Sequence, residues 1–400
     1  MWRRWRSVGG VFVTALKLGL TSFGGPVAHI GFFHKEYVER LKWVNETQFG
    51  NLNALCQIMP GPSSSQLGIG IGMLRAGWLG GAAAWLGFTL PSACLLLSFA
   101  LGLETWSSGQ TGWLQGLLLV AVAVVAHAVW GMAKHFTPDR ERMSIAVAAL
   151  AASYFFASPY IGVVIMLIAA CAGCWLYRNE DIKVKPVDHE MNAPLISRTS
   201  GIVSLGVLIG GLCLLPWLVS WSSGIALSLF DMMFRTGSLV FGGGHVVLPL
   251  IKSELAHMGW LTEETIVAGY GAAQAVPGPL FTYAAYIGAS IGNGGQAILF
   301  GMIALVGIFL PSYLMMGAAL PFIEHIYRIV WISRALKGAN AAVVGLLIAA
   351  WYDPIFTTAV QTPLQFVVAV TALVLLVYWK LPSWSIVIAA ALTGSLLFTP

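Results

Sequence analysis

Two short breaks in otherwise apolar stretches occur twice in this chain. Phe23-Gly24-Gly25-Pro26 is matched by Phe241-Gly242-Gly243-Gly244, and Pro60-Gly61-Pro62 is matched by Pro277-Gly278-Pro279, at offsets of 218 and 217 residues. Proline removes an N–H and blocks the preceding turn, and glycine frees the backbone. At membrane depth the freed backbone groups need protein or a watery cavity around them. A half-helix starting after each break aims unpaired N–H groups and a partial positive charge inward, which suits an anion. One such break reads as a plain kink; two symmetric pairs point to a substrate site.

Charged and polar residues gather near the same breaks. Lys17 lies six residues before Phe23, and Arg235 lies six before Phe241. A cation at mid-helix costs about 2.5–3.5 kcal/mol on insertion scales, so a matched pair suggests a positively lined cavity. Asp231 is four residues from Arg235, on the same helix face, and is expected to neutralise it when no substrate is bound; its first-half counterpart is Val13. Ser63, Ser64, Ser65 and Gln66 follow the first Pro-Gly-Pro and can donate to an oxyanion, whereas Leu280, Phe281, Thr282 and Tyr283 follow the second. The substrate is therefore expected to lean on the first half. His245 is a candidate proton or substrate ligand, and Asp231 and His245 are the candidates for ion coupling. Three weaker signals read as packing: Gly68 to Gly72, the Cys171/Cys174 pair and His127, taken as a core histidine.

Composition sets these groups in a membrane. Charged residues are 9% of 400 residues, against about 25% in a soluble domain. Hydrophobic residues are 58%, and the mean hydropathy is +0.81. A soluble globule, a disordered chain and a disulfide scaffold are excluded. The expected fold is an all-α polytopic membrane protein with thirteen apolar segments: 8–31, 46–72, 77–103, 111–134, 143–157, 159–177, 198–220, 225–250, 263–289, 293–320, 335–352, 361–378 and 381–398. The fifth and sixth are short enough for a re-entrant pair. Residues 1–7 look like a signal n-region, but the stretch after them reads as a retained first span.

Loop cations orient the chain. With the N-terminus in the cytoplasm and thirteen crossings, sixteen Lys and Arg fall inside. Lys35, Arg40 and Lys42 fall outside, in an amphipathic stretch, and the C-terminus ends outside. Further matches, Leu90-Pro91-Ser92 with Leu310-Pro311-Ser312 and Leu114 to Gly116 with Leu336 to Gly338, define two repeats, 8–177 and 225–398. A polar linker and one span, together 178–224, separate them. An odd number of spans per repeat-plus-linker inverts the second repeat relative to the first.

The FGGP and Pro-Gly-Pro motifs, with a second copy of each in about 400 residues, resemble the chromate ion transporter family in its long, two-domain form. The resemblance covers nearly the whole chain. It implies export of chromate across the inner membrane, chromate resistance, and duplicated, oppositely oriented halves. Carried over by motif, the functional positions are Lys17, Phe23, Gly24, Gly25, Pro26, Pro60, Gly61 and Pro62, then Phe241, Gly242, Gly243, Pro277, Gly278 and Pro279. Gly244 stands where the first copy has Pro26. No metal-ligating, nucleotide-binding, nucleic-acid-binding or catalytic pattern is present in the sequence, so a cofactor and enzyme chemistry are not expected. The expected partners are a chromate- or sulfate-like oxyanion and the bilayer, with a homodimer compatible. An inside-negative potential contributes about 2.3 kcal/mol per charge per 100 mV, so voltage favours dianion export, with proton exchange an added coupling. A sulfate carrier is the alternative, and a membrane enzyme or lipid-handling protein a more distant one.

Overall fold

A computed structural model describes residues 2–23, 25–106, 112–156, 161–179, 195–222, 224–240, 247–323 and 330–398. Among them the chain is helical and contains no strand. Five helices are long and apolar enough to cross a bilayer, and several more are apolar but shorter. The protein is a multi-pass membrane protein. Gly24, Phe241, Gly242, Gly243, Gly244 and His245 lie outside the described residues.

The first repeat begins with α1 (Trp2–Thr21) and α2 (Gly25–Phe33), the latter running into a π turn at His34–Arg40. Then come α3 (Glu46–Ile58), α4 (Ser63–Trp106), α5 (Gly112–Phe136), α6 (Arg140–Phe155) and α7 (Ile161–Leu176). A connecting helix, α8 (Arg198–Trp221), leads to the second repeat. That repeat comprises α9 (Ile225–Leu239), α10 (Val247–Met258), α11 (Glu263–Ala273), α12 (Tyr283–Ile291), α13 (Gly295–Ala319), α14 (Val330–Ala350), α15 (Pro363–Val377) and α16 (Ser383–Leu397). Side-chain caps fix several starts. Asn45 with Gln48 forms a capping box on α3, Asp139 caps α6, Ser197 caps α8 and Thr262 caps α11, each satisfying an otherwise orphaned N–H.

The apolar segments expected as spans at 8–31 and 46–72 do not run straight. Lys17 Nζ is 3.4 Å from Glu36 Oε1, although nineteen residues of straight helix would part them by roughly 28 Å. The chain therefore reverses between α1 and α2. It reverses again at 59–62, where Gly70 on the return limb faces Leu52 on the outgoing one. The second repeat does the same. Arg235 reaches Glu254 at 2.5 Å, and the Tyr283 and Tyr286 hydroxyls donate to the Ile266 and Thr265 carbonyls at 2.8 and 3.0 Å. Each repeat thus opens with two helical hairpins; the second turn of each pair is at Pro-Gly-Pro, at 60–62 and 277–279. A further reversal interrupts α4. Ala76 and Gly77 leave helical geometry, with φ +67° at Gly77, and Gly72 then packs on the backbone of Gly80. The run Gly68 to Gly72 is a helix-packing face, as its composition suggested.

The long helices of the two repeats exchange partners. α5 packs on α15 and α16 through Leu117, Val120, Val124, Ile386 and Val387, and α14 packs on α6 and α7. At the closest points Gly116 faces the Ala390 backbone and Gly338 faces the Ala169 backbone, the same contact in both directions. α8 sits at the periphery, with 11% of its most apolar window buried. His127 is exposed on α5 rather than in the core: it lies past the end of the buried run Gly116 to Val125. The turn between α6 and α7, where a re-entrant pair was expected, lies outside the described residues.

Candidate substrate site at the crossed hairpin tips

The four hairpin tips meet across the repeats. The Gly61 N–H donates to the Val240 carbonyl at 2.6 Å, and the Gly278 N–H donates to the Ser22 carbonyl at 2.8 Å. Each Pro-Gly-Pro tip is therefore tied to the other repeat's first tip. Ser312 lies against Gly61 and Ser92 lies against Gly278. These serines belong to the two Leu-Pro-Ser matches, and both are fully buried. Gly61 and Gly278 have φ of +116° and +95°, a region that disfavours any residue with a Cβ. Met59 and Pro279 are extended beside the two tips.

Polar groups surround the crossing on the first-repeat side. His29 Nδ1 is 3.2 Å from Ser64 Oγ, and its ring meets Phe88 edge-on at 5.3 Å. Gln66 Nε2 donates to the Pro60 carbonyl at 2.5 Å and lies 3.5 Å from Ser312 Oγ. Ser92 Oγ donates to the Thr89 carbonyl. Ser22, Ser64, Ser65, Gln66, Thr89 and Ser92 are all buried. Among the described residues, Ser22 Oγ, Ser65 Oγ, Thr89 Oγ1 and Gln66 Oε1 have no hydrogen-bond partner. Buried hydroxyls without partners are uncommon, and three of them near one crossing suit a ligand rich in acceptor oxygens. Ser63 starts α4 and is half-buried, as are Phe23 and Gly25 in the first tip. Pro26 sits in the first turn of α2, immediately after Gly25.

The hairpin shape changes the electrostatic argument made from the sequence. A return helix does start at each Pro-Gly-Pro tip, but an outgoing helix also ends there. The two macrodipoles oppose one another. Anion preference at the tips then rests on N–H and hydroxyl donors and on nearby cations, not on a net helix dipole.

Those cations are not bare. Lys17 is 56% exposed and faces Glu36, which also accepts from Arg40 Nε at 2.7 Å. Arg235 is 14% exposed. Its Nε donates to Asp231 at 3.0 Å, and its two terminal nitrogens donate to Glu254 at 2.5 and 3.0 Å. The expected Asp231–Arg235 neutralisation is present, whereas Glu36 and Glu254 escaped the sequence reading. They occupy one repeat position, at the same offset of 218 that relates Lys17 to Arg235. Asp231 and Glu254 share one guanidinium, brought together by the hairpin. The first cluster holds two cations and one carboxylate, the second two carboxylates and one cation.

A third symmetric pair joins the open ends of the hairpins. His34 Nε2 is 2.8 Å from Glu46, and Lys252 is 3.3 Å from Glu263. Hydrogen bonding to Glu46 raises the His34 pKa above its ordinary value, opposed by desolvation and helped by the Glu46 and Glu39 charges. A raised folded-state pKa adds stability that is complete below the unfolded value of about 6.5 and is lost as pH rises through the folded value. Thermal unfolding of wild type and Glu46→Gln should therefore differ at pH 6, with wild type the more stable, and converge in alkali.

A family model described as "Chromate transporter" matches residues 9–174 and 227–395. The chain belongs to the chromate transporter family. The two matched stretches leave α8 between them. The chain is 29% identical to the chromate transport protein of Pseudomonas aeruginosa, over 97% of this chain and 92% of that one. It is 25% identical to the chromate transport protein of Cupriavidus metallidurans, over 95% and 90% respectively. A probable chromate transport protein of Synechococcus elongatus is 24% identical over 84% and 81%. No solved structure matches the chain. The relatives are transport proteins, and this family member is a transporter rather than an enzyme.

Proposed function

We propose that this chromate transporter family member exports chromate, as a tetrahedral dianion, from the cytoplasm across the inner membrane, and that the substrate binds where the hairpin tips cross. The observation that carries this reading is the reciprocal pair of tip bonds, Gly61 to Val240 and Gly278 to Ser22, ringed by buried hydroxyls without partners. Lys17 and Arg235 flank the crossing in equivalent hairpins and supply the compensating charge. Hydroxyls concentrate on the first repeat, so Ser64 and Ser65 contact the oxyanion while the second repeat mainly provides shape. Resistance to chromate is the physiological consequence.

The hairpins also revise the proposed topology. If all four are re-entrant, nine segments cross: residues 78–106, then α5, α6, α7, α8, α13, α14, α15 and α16. Nine is odd, so the termini lie on opposite sides and the repeats are inverted; the loop cations then put the N-terminus in the cytoplasm and the C-terminus outside. Lys35, Arg40 and Lys42 move to the cytoplasmic side. Eighteen Lys and Arg then lie inside, Lys252 lies outside, and Lys17 and Arg235 stay within hairpins. This distribution obeys the positive-inside rule better than thirteen crossings do.

Inside-out vesicles with a clamped potential test the transport reading, because export appears there as uptake. Saturable, potential-driven chromate uptake only weakly blocked by sulfate is the expected result. Ser65→Ala should weaken apparent affinity by about ten- to 150-fold, as loss of its one hydrogen bond to a charged ligand does. Saturable sulfate movement without chromate movement would reassign the substrate. No flux of either would remove the transport reading of the tips.

A further inference from the structure

The geometry points to a proton-binding site at Asp231 and Glu254 that controls whether Arg235 is available to the transported oxyanion, so that a proton is taken up with the anion rather than exchanged for it. This inference rests on the proposed site at the tips.

Arg235 lies five residues before Val240, about 7.5 Å of helix rise from the tip. A helical side chain leans toward the start of its helix, so the guanidinium reaches an anion seated on its own side of the tip rather than the tip itself. It is held elsewhere, however, with Asp231 on its Nε and Glu254 on its terminal nitrogens. Both carboxylates are largely buried, with side-chain exposures of 4% and 13%. Among the described residues, Asp231 Oδ1 has no hydrogen-bond partner. Two carboxylates facing one cation leave a buried excess negative charge, which a proton on Asp231 Oδ1 removes.

Among the described residues, the other helices packed on α10 bring Glu263, Glu264 and Tyr270 on α11, and Arg334 and Lys337 on α14, with Lys337 over the Tyr177 ring. α8 contributes only Arg198 and Cys213, and α13 contributes only Tyr313. On α10, Lys252 is occupied by Glu263 and Asp353, and the His257 side chain lies outside the described set. The first repeat needs no such step. Its cluster of Lys17, Arg40 and Glu36 already has a cation to spare, and position 13, the counterpart of Asp231, is an exposed valine.

The direction of coupling follows from competition. Asp231, Glu254 and the oxyanion all seek one guanidinium. Protonation forms an O–H bond on Asp231, weakens its hold on Arg235 and lets the arginine turn toward the anion. Proton and anion therefore strengthen each other's binding, and by reciprocity anion binding takes up a proton. This replaces the proton exchange expected from the sequence.

The test uses purified full-length protein in nanodiscs, with sulfate as the first probe because it stays a dianion over the range used, and chromate as the second. From pH 8 to pH 5.5, wild-type affinity should rise by up to about tenfold per unit, the limit for one linked proton. A pH indicator in weak buffer should report uptake approaching one proton per anion bound. Asp231→Asn should bind tightly at every pH and take up no proton. Glu254→Gln, the second variant if Asp231→Asn is not monodisperse, should shift the same way. Flat wild-type affinity, or undiminished proton uptake in both variants, would overturn the proposal. If wild type binds neither anion, the substrate reading fails, and the proton site is then judged by infrared spectroscopy. A protonated-carboxyl band that titrates in wild type and is missing in Asp231→Asn supports it; no such band refutes it.

Discussion

A Gly61→Ala chain is expected to reach the membrane and yet transport at least about thirtyfold more slowly than wild type. Two costs combine at this tip. The backbone has φ of +116°, which a residue with a Cβ adopts at a cost of about 1–3 kcal/mol. The added methyl would also overlap Ser312 Oγ and come within 2.7 Å of Gln66 Nε2, and overpacking a close-packed site costs about 1–3 kcal/mol more. Even the low ends sum to about 2 kcal/mol, a factor of roughly thirty. The relaxed state breaks the Gly61-to-Val240 bond and parts the tips. Adding Ser312→Gly should recover part of the flux by removing the overlap, while the strain in φ remains. Gly278→Ala should be milder, because its nearest neighbours, Ser92 Oγ at 3.0 Å and the Phe88 carbonyl at 3.2 Å, need give way less. Chromate uptake in vesicles, normalised to inserted protein, reads all three. Equal activity of Gly61→Ala and wild type would show that the tips do not hold the substrate path.

Removing the two matched cations should have unequal consequences. Arg235→Ala leaves Asp231 and Glu254 facing one another in a largely buried site. Breaking a buried pair in this way costs about 3–5 kcal/mol. Lys17→Ala removes a group that is 56% exposed, and Glu36 keeps Arg40 as its partner. Exposed pairs of that kind contribute about 0–1 kcal/mol. Heating in detergent followed by size-exclusion chromatography should show a large fall in midpoint for Arg235→Ala and almost none for Lys17→Ala. The triple variant Arg235→Ala, Asp231→Asn, Glu254→Gln should recover most of the lost stability, because no buried charge is then left unpaired. If Lys17→Ala nevertheless lowers chromate flux, its role is in binding, since stability would be unchanged.

The all-helical membrane fold and the internal repeat were legible because both are written locally, in apolar runs and in motifs at a nearly constant offset. The reversals between α1 and α2 and at 59–62 were not. A run of about 25 apolar residues with Gly and Pro in its middle satisfies lipid equally well as one kinked span or as a folded-back hairpin. The missed carboxylates follow from that ambiguity. Glu36 and Glu254 are nineteen residues from their cations, a spacing that means nothing on a straight helix and becomes a contact only when the chain turns back. A signal was nevertheless present. Applying the 218-residue offset to every charged position, rather than to the glycine and proline motifs alone, pairs Glu36 with Glu254 and His34 with Lys252. The hydroxyls after Pro62 were found by type, whereas Ser92 and Ser312 were seen only as repeat markers. Their placement against Gly278 and Gly61 depends on the cross-repeat packing, which no single stretch of sequence encodes.

The exchange of partners between α5 with α16 and α14 with α7 also constrains how the chain is made. When synthesis has reached residue 177, the face of α5 bearing Leu117, Val120 and Val124 has nothing to close on, because Ile386 and Val387 are still to come. The first half must wait in the bilayer as a half-clasp, its small-residue seam at Gly112 and Gly116 open to lipid until the last helix arrives. The seam between α7 and α14 can shut once residue 350 is made, but the seam of α5 shuts last, and the final fifteen-residue helix acts as its latch.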